Sequence, residues 1–220
     1  QLVEVQAGQV IQIKDFKIEF IHVTHSIVGA VMLAISTPVG IIIHSGDFKI
    51  DLSPLDNLVT DLSKISEYSR KGVLALLSDS TNAERSGHTL SEKSVIQKLE
   101  QIFQQTSGKV VISCFSSSIH RIQTIFNLAF HHDRKVLLWG RRMIATIKMA
   151  YDLGYFDIPD GLLISVEDAK SLSPDQLVLI VTGSQGESRA VLPQMAFSNY
   201  KKMTINKGNA VIISARIIPG

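Results

Sequence analysis

Three short segments carry side chains that bind metals and move protons. Thr24-His25-Ser26 closes one β-branched run, and Gly46-Asp47-Phe48 closes another. Asp79 lies in Ser78-Asp79-Ser80, directly after the apolar run 73–77. A neutral imidazole and a carboxylate are suitable ligands for zinc or manganese. Only one hairpin strand separates His25 from Asp47, so both side chains can reach the same sheet edge, and Gly46 lets the backbone turn sharply into it. The same residues are equally at home in a hydrogen-bonded turn. Asp79 has two readings as well. It belongs to a site at the carboxyl end of a strand, where α/β proteins place them, or it caps a turn among its Ser, Thr and Asn neighbours.

A second group could hold phosphate. Ser116-Ser117-Ser118-Ile119-His120-Arg121 falls between a strand and a helix, where hydroxyls and helix N-terminal amides can meet an anion; a serine N-cap explains it too. Gly183-Ser184-Gln185-Gly186-Glu187 follows another strong strand and reads as a phosphate approach or a tight turn. His22, His44, His88, His131 and His132 have no spacing that points to a metal. The 22 basic and 20 acidic residues nearly balance, so any nucleic-acid reading rests on a local site and not on a basic surface. One cysteine, Cys114, excludes an internal disulfide and a cysteine-built zinc finger, and fits a reducing cytosol. No secretory signal and no apolar run long enough for a bilayer are visible, so a soluble, cytoplasmic chain without a membrane partner is expected.

These groups must be positioned by two architectures. Runs at 10–13, 16–24, 30–36 and 40–44 read as strands, with Thr37-Pro38-Val39-Gly40 as a hairpin turn. A helix is expected over 58–70 and a buried strand over 73–77. After Arg85 the rhythm becomes helical. Thr89-Leu90-Ser91-Glu92 has the spacing of a capping box with Thr89 as N-cap, and Val95, Ile96, Leu99, Ile102 and Phe103 share one helical face. Strands at 109–115, 135–140, 162–166, 177–182 and 210–215 alternate with helices at 118–131 and 142–153. That alternation predicts crossovers and a mainly parallel sheet. Both chain ends fall in strand-like or apolar sequence, including 217–220, so flanking sequence is expected.

Thr-His-Ser-Ile (24–27), His-Ser-Gly-Asp-Phe-Lys (44–49), Leu-Leu-Ser-Asp-Ser-Thr-Asn-Ala-Glu-Arg (76–85), Ile-His-Arg (119–121), Thr-Gly-Ser-Gln-Gly-Glu (182–187) and Val-Ile-Ile-Ser-Ala (211–215) occur in one order. That order resembles ribonuclease J, of the metallo-β-lactamase superfamily with a β-CASP insert, across essentially the whole chain. The resemblance implies an α/β fold: part of a metallo-β-lactamase αββα sandwich over 1–85, followed by a Rossmann-like β-CASP domain over 86–220. It implies hydrolysis of single-stranded RNA by two divalent metal ions, zinc or manganese. His25 then matches a metal-ligand histidine, Asp47 the carboxylate that bridges the ions, and Asp79 an acidic residue that orients a general-acid histidine. Ser117, His120, Arg121 and Arg142, beside strand-to-helix turns, become the expected RNA contacts.

The chain also departs from that pattern. The family's His-x-His-x-Asp-His motif is not in this sequence, and Val28-Gly29-Ala30 stands where the family usually continues Pro-Asp-Ser. One histidine and one bridging carboxylate fall short of the three protein ligands that catalytic zinc sites use. The favoured expectation is a segment of a two-metal ribonuclease that is inactive as this chain alone. The alternatives are a non-catalytic subunit that binds RNA, a second copy or an active paralogue, and a metallo-hydrolase of the same fold acting on a small molecule.

Overall fold

The computed structural model describes residues 2–81, 83–87, 89, 91–197 and 203–215. His88, Leu90 and the 217–220 end therefore lie outside the described residues. The chain divides into two compact units, Gln1–Val95 and Ile96–Gly220, whereas the change of sequence rhythm sits at 85/86.

The first unit is a five-stranded sheet in the order β1-β2-β3-β4-β5. Strands β1 (Val10–Ile13), β2 (Phe16–His22), β3 (Val31–Thr37) and β4 (Gly40–His44) form an antiparallel meander. Thr37 pairs with Gly40 across the turn that the sequence marks. Period-2 patterning sets the inner face: Ile21 and Val23 are buried with Met32, Ala34 and Ile43. Glu19 shares the parity of Ile21 and is buried as well. A carboxylate there needs partners, and helix α1 (Leu62–Lys71) supplies them. The Tyr68 hydroxyl donates to Glu19 Oε2 at 2.6 Å, and Lys64 Nζ lies 3.0 Å from Oε1. Burial, reinforced by that carboxylate, pushes the Tyr68 hydroxyl up to about 12. The helix starts later than the expected residue 58 because Asp61 is its N-cap, accepting from the Lys64 amide at 2.9 Å.

Strand β5 (Ala75–Leu77) adds parallel to β4 at the sheet edge. Its sequence reads as a buried strand, yet Leu76 and Leu77, which alternate between faces, are 63% and 55% exposed. Among the described residues no strand pairs with its outer edge, so the expected burial is not supplied by them.

Helix α2 (Glu92–Gln105) contains the division between the units. Leu99 and Phe103 are its buried face, as the periodicity predicts. Its start corrects the capping-box expectation, because the helix begins at Glu92 and not after Thr89. The cap moves to Ser91, whose Oγ accepts from the Lys93 amide at 3.4 Å, and tertiary groups reinforce it: the Glu92 amide faces Asp51 Oδ2 at 3.5 Å, and the Ser53 hydroxyl bonds that of Ser91 at 3.0 Å.

The second unit holds a four-stranded parallel sheet, ordered β7-β8-β6-β9, from β6 (Val110–Ser113), β7 (Lys135–Trp139), β8 (Leu177–Val181) and β9 (Ala210–Ile213). Every residue of β8 is buried, the signature of a parallel strand covered on both faces. Helices α3 (Ile119–His131) and α4 (Arg141–Asp152) follow β6 and β7. The expected strand over 162–166 is reduced to one bridge, Leu163 with Val136. The chain turns there into α5 (Val166–Ala169), because Ser165 and Asp168 make a capping box. Helices α5 and α6 (Val191–Ala196) cover the face bearing Val111, Leu137, Leu179 and Val181. Right-handed crossovers put α3 on the opposite face, since β6 to β7 runs one way across the sheet and β8 to β9 the other.

Asp51 supplies a test of the first unit. Burial would raise its carboxyl, but the Ser53 amide and Lys49 outweigh burial and hold it below the ordinary range. The folded carboxyl thus releases its proton more readily than the unfolded one. Its stabilisation is complete above the ordinary carboxylate pKa and is lost as pH falls through the lower folded value. Asp51→Asn is expected to cost about 1–3 kcal/mol at neutral pH, with the deficit shrinking as pH falls below the ordinary aspartate value of about 3.9. Thermal melts across that range read it, and a deficit that does not change with pH would show that the charge is not what matters.

Candidate active site

His25 and Asp47 meet because of an isolated antiparallel bridge between Thr24 and Lys49, outside the named strands. The Lys49 amide donates to the Thr24 carbonyl at 2.9 Å. In that register His25 stands opposite Phe48, beside Asp47. His25 Nε2 and Asp47 Oδ2 lie 3.8 Å apart, with the His25 side chain 29% exposed and that of Asp47 81% exposed. Gly46 makes the approach possible: its φ is +59°, and a Cβ there would sit 3.0 Å from the Val31 carbonyl oxygen.

Asp79 comes to the same sheet end through Ser45. The Asp79 amide donates to Ser45 Oγ at 2.8 Å, Ser45 Oγ donates to the Gly46 carbonyl at 2.7 Å, and the Ser45 amide donates to the Leu77 carbonyl at 2.9 Å. Ser45, 1% exposed, thus stitches the end of β4 to the end of β5. The Asp79 carboxyl is held below the usual carboxylate range, first by the Thr81 amide and hydroxyl, each of which exceeds the opposing effect of burial, and then more weakly by the Phe48 amide and the charge of His25. The amide bond from Thr81 is 2.8 Å long. Asp79 is therefore a turn cap and a neighbour of His25 at once, so the two readings of the sequence do not compete.

One imidazole nitrogen and one carboxylate oxygen 3.8 Å apart can be spanned by two ligand bonds of roughly 2.1 Å. The pair fits a metal in donor type and separation. Among the described residues no group of three or more His, Cys, Asp or Glu is placed to hold an ion, so no third protein ligand joins the pair there.

In the second unit, β6 and β8 are neighbours whose exits lead to opposite faces, which makes a topological switch point at their carboxyl ends. The 114–118 turn and the 182–187 turn flank it. Ser118 is the N-cap of α3 without a side-chain cap bond, so the plain serine-cap explanation is not what the backbone shows. Ser117 and His120 are half-buried there. Arg121 Nη1 donates to the Ser214 carbonyl at 2.8 Å, and Ser214 Oγ lies 3.4 Å away, tying α3 to the exit of β9. Arg142 is exposed in the first turn of α4. In the second turn, the Gly186 amide donates to the Gly183 carbonyl and the Gln185 amide to Glu187 Oε2. Gly183 has φ +111° and would place a Cβ 2.6 Å from Pro193 Cδ, so the close approach of α6 requires glycine. Among the described residues no helix is long and apolar enough to cross a membrane.

Sequence reasoning did not single out Ser45, although it stands inside a quoted motif. It also missed Thr60, because the expected helix covered it. Neither residue type signals a site by itself.

Ser45→Ala leaves the Asp79 amide without its acceptor and is expected to cost about 1–2 kcal/mol and to speed hydrogen exchange at that amide. Unaltered exchange would mean that another acceptor takes over.

The comparisons with known proteins agree with one another. Residues 107–220 match the model of the ribonuclease J β-CASP domain. Ribonuclease J of Synechocystis sp. is 46% identical over 94% of this chain and 32% of its own length. Ribonuclease J of Thermus thermophilus is 39% identical over 100% of this chain and 38% of its own, and ribonuclease J2 of Bacillus subtilis is 37% identical over 99% and 39%. The chain therefore spans about a third of the length of these relatives. A crystal structure of a protein of unknown function from Enterococcus faecalis V583 shares the fold, with TM-score 0.62 at 14% identity, covering 96% of this chain and 55% of that one. A mixed α/β chain with this sheet topology, motif order and family match belongs to the ribonuclease J family and carries its β-CASP domain.

Proposed function

We propose that this chain is the part of a ribonuclease J-like enzyme that brings one histidine and two carboxylates to a metal-dependent nuclease site acting on single-stranded RNA, and that it is inactive alone. The observation that carries the reading is the convergence of His25, Asp47 and Asp79 at one sheet end. The first unit is then part of a metallo-β-lactamase domain. Two metals, zinc or manganese, supply a clamp on the scissile phosphate and an activated water. His25 and Asp47 act as ligands, and Asp79 orients an imidazole brought to it, as carboxylates behind metal and acid groups do. Ser117, His120 and Arg121, after β6, contact RNA phosphates, and Arg142, in the first turn of α4 after β7, adds a further contact. Buried, free Cys114 supports a cytoplasmic setting.

Val28-Gly29-Ala30 favours a second reading, a non-catalytic subunit that binds RNA, another copy or an active paralogue. Gly29 has φ +74° in this turn, so the loop beside His25 is built differently from one carrying Pro-Asp-Ser.

Manganese- or zinc-dependent cleavage of a 5′-monophosphorylated single-stranded RNA tests the reading. The chain and its Asp47→Ala variant are both expected to bind RNA without cutting it, whereas Asp47→Ala in a longer protein carrying this segment abolishes cleavage. Cleavage by the chain that Asp47→Ala removes would overturn its incompleteness. No RNA binding at all would favour the small-molecule hydrolase.

The arginines separate in a salt titration. Arg142→Ala is expected to flatten the log–log salt dependence of RNA binding by about 0.7, one single-strand phosphate contact. Arg121→Ala weakens binding with a smaller change of slope, because its guanidinium is engaged by Ser214. Equal slopes for Arg142→Ala and the parent would remove Arg142 from the RNA track.

A further inference from the structure

We infer that Thr60 is a positioning residue that sets the spacing of His25 and Asp47; the inference rests on reading those two as a metal pair. Thr24 and Lys49 are joined by an isolated bridge, so no continuous ladder fixes the segments that carry the pair. Hydroxyls take its place. The Thr24 amide donates to Thr60 Oγ1 at 3.0 Å, the two threonine hydroxyls lie 3.0 Å apart, and Thr24 Oγ1 donates to the Lys49 carbonyl. Each hydroxyl has one proton. Because the Thr24 proton goes to Lys49, the Thr60 proton goes to Thr24 Oγ1 at 3.0 Å or to the Lys49 carbonyl at 3.4 Å. Either way the Thr60 hydroxyl bridges Thr24 and Lys49, with the Thr24 amide closing the loop on Thr60.

Both threonines are buried, at 5% and 6% exposure, and no other described side chain takes the Thr24 amide. The loop that delivers Thr60 is held to β2, because the Asp61 amide donates to the His22 carbonyl at 3.1 Å and His22 Nε2 lies 3.1 Å from the Leu58 carbonyl oxygen. Thr60 itself reaches neither ligand. It acts through Thr24, one residue before His25, and Lys49, two residues after Asp47. Valine would fill the same space but strand the Thr24 amide in a buried site, whereas serine keeps the hydroxyl.

The test compares Thr60→Val, Thr60→Ser and Thr60→Cys in this chain by NMR, first without metal and then with Mn²⁺ alone as a paramagnetic probe. Cross-peaks between the His25 ring and the Asp47 β-protons are expected in the parent and Thr60→Ser, and lost in Thr60→Val while the amide pattern of β2, β3 and β4 persists. The Mn²⁺ concentration that broadens His25 and Asp47 together should rise about ten- to a hundredfold in Thr60→Val and stay near the parent value in Thr60→Ser. Thr60→Cys, a weaker hydrogen-bonding group of similar size, gives an intermediate shift and remains readable if the valine variant unfolds. Unchanged cross-peaks in Thr60→Val, an unchanged Mn²⁺ response despite lost cross-peaks, or a serine variant as impaired as valine would each overturn the inference. A parent chain whose His25 and Asp47 ignore Mn²⁺ would instead sink the metal reading, and the metal-free cross-peaks would still decide whether Thr60 sets the spacing.

Discussion

The candidate active site hangs on the satisfaction of buried polar groups around one backbone bridge. Thr24 and Lys49 face each other where β2 and β4 have already ended, and the polar atoms brought inside with them must find partners or cost free energy. Thr60 answers Thr24, Ser45 answers Asp79, and Asp51 answers Lys49. The first two bonds join segments far apart in the chain, so each fixes a distance that local structure leaves free. The outcome is a cross-linked rim that carries an exposed Asp47 carboxylate next to a partly sheltered His25.

The second unit reaches its site by the opposite means. Its sheet is held by apolar packing on both faces of β8, and the polar residues gather only where strands exit. The two buried cations at the far end of the sheet follow the same economy. Arg134 donates to the carbonyls of Gly108 and Thr106 beyond the end of α2, and Lys109 donates to that of Thr204. Burial lowers the proton affinity of both groups, and backbone carbonyls stand in for water. At the carboxyl edge Arg121 likewise donates to a backbone carbonyl, that of Ser214.

The exposed leucines of β5 belong to this picture. Apolar residues on both faces of a strand call for cover on both faces, and the chain spans about a third of its ribonuclease J relatives. The unit keeps its own core in the meander and α1 and presents its strand ends without completing a coordination shell among the described residues.

Strand and helix periods, the 37–40 hairpin and the parallel second sheet were determined by the sequence itself, because they follow from side-chain alternation and local turn chemistry. The motif order likewise located His25, Asp47 and Asp79. Where the sequence reading failed, one signal had prevailed over another: Ser91 with the distant Asp51 took the place of the Thr89 cap at the start of α2, while the local caps at Asp61 and Ser165 started α1 late and turned an expected strand into α5. The roles of Ser45 and Thr60 were decided by tertiary structure alone. A small hydroxyl carries no positional signal in a sequence, and it acquires one only when folding buries it beside an amide that has no other acceptor.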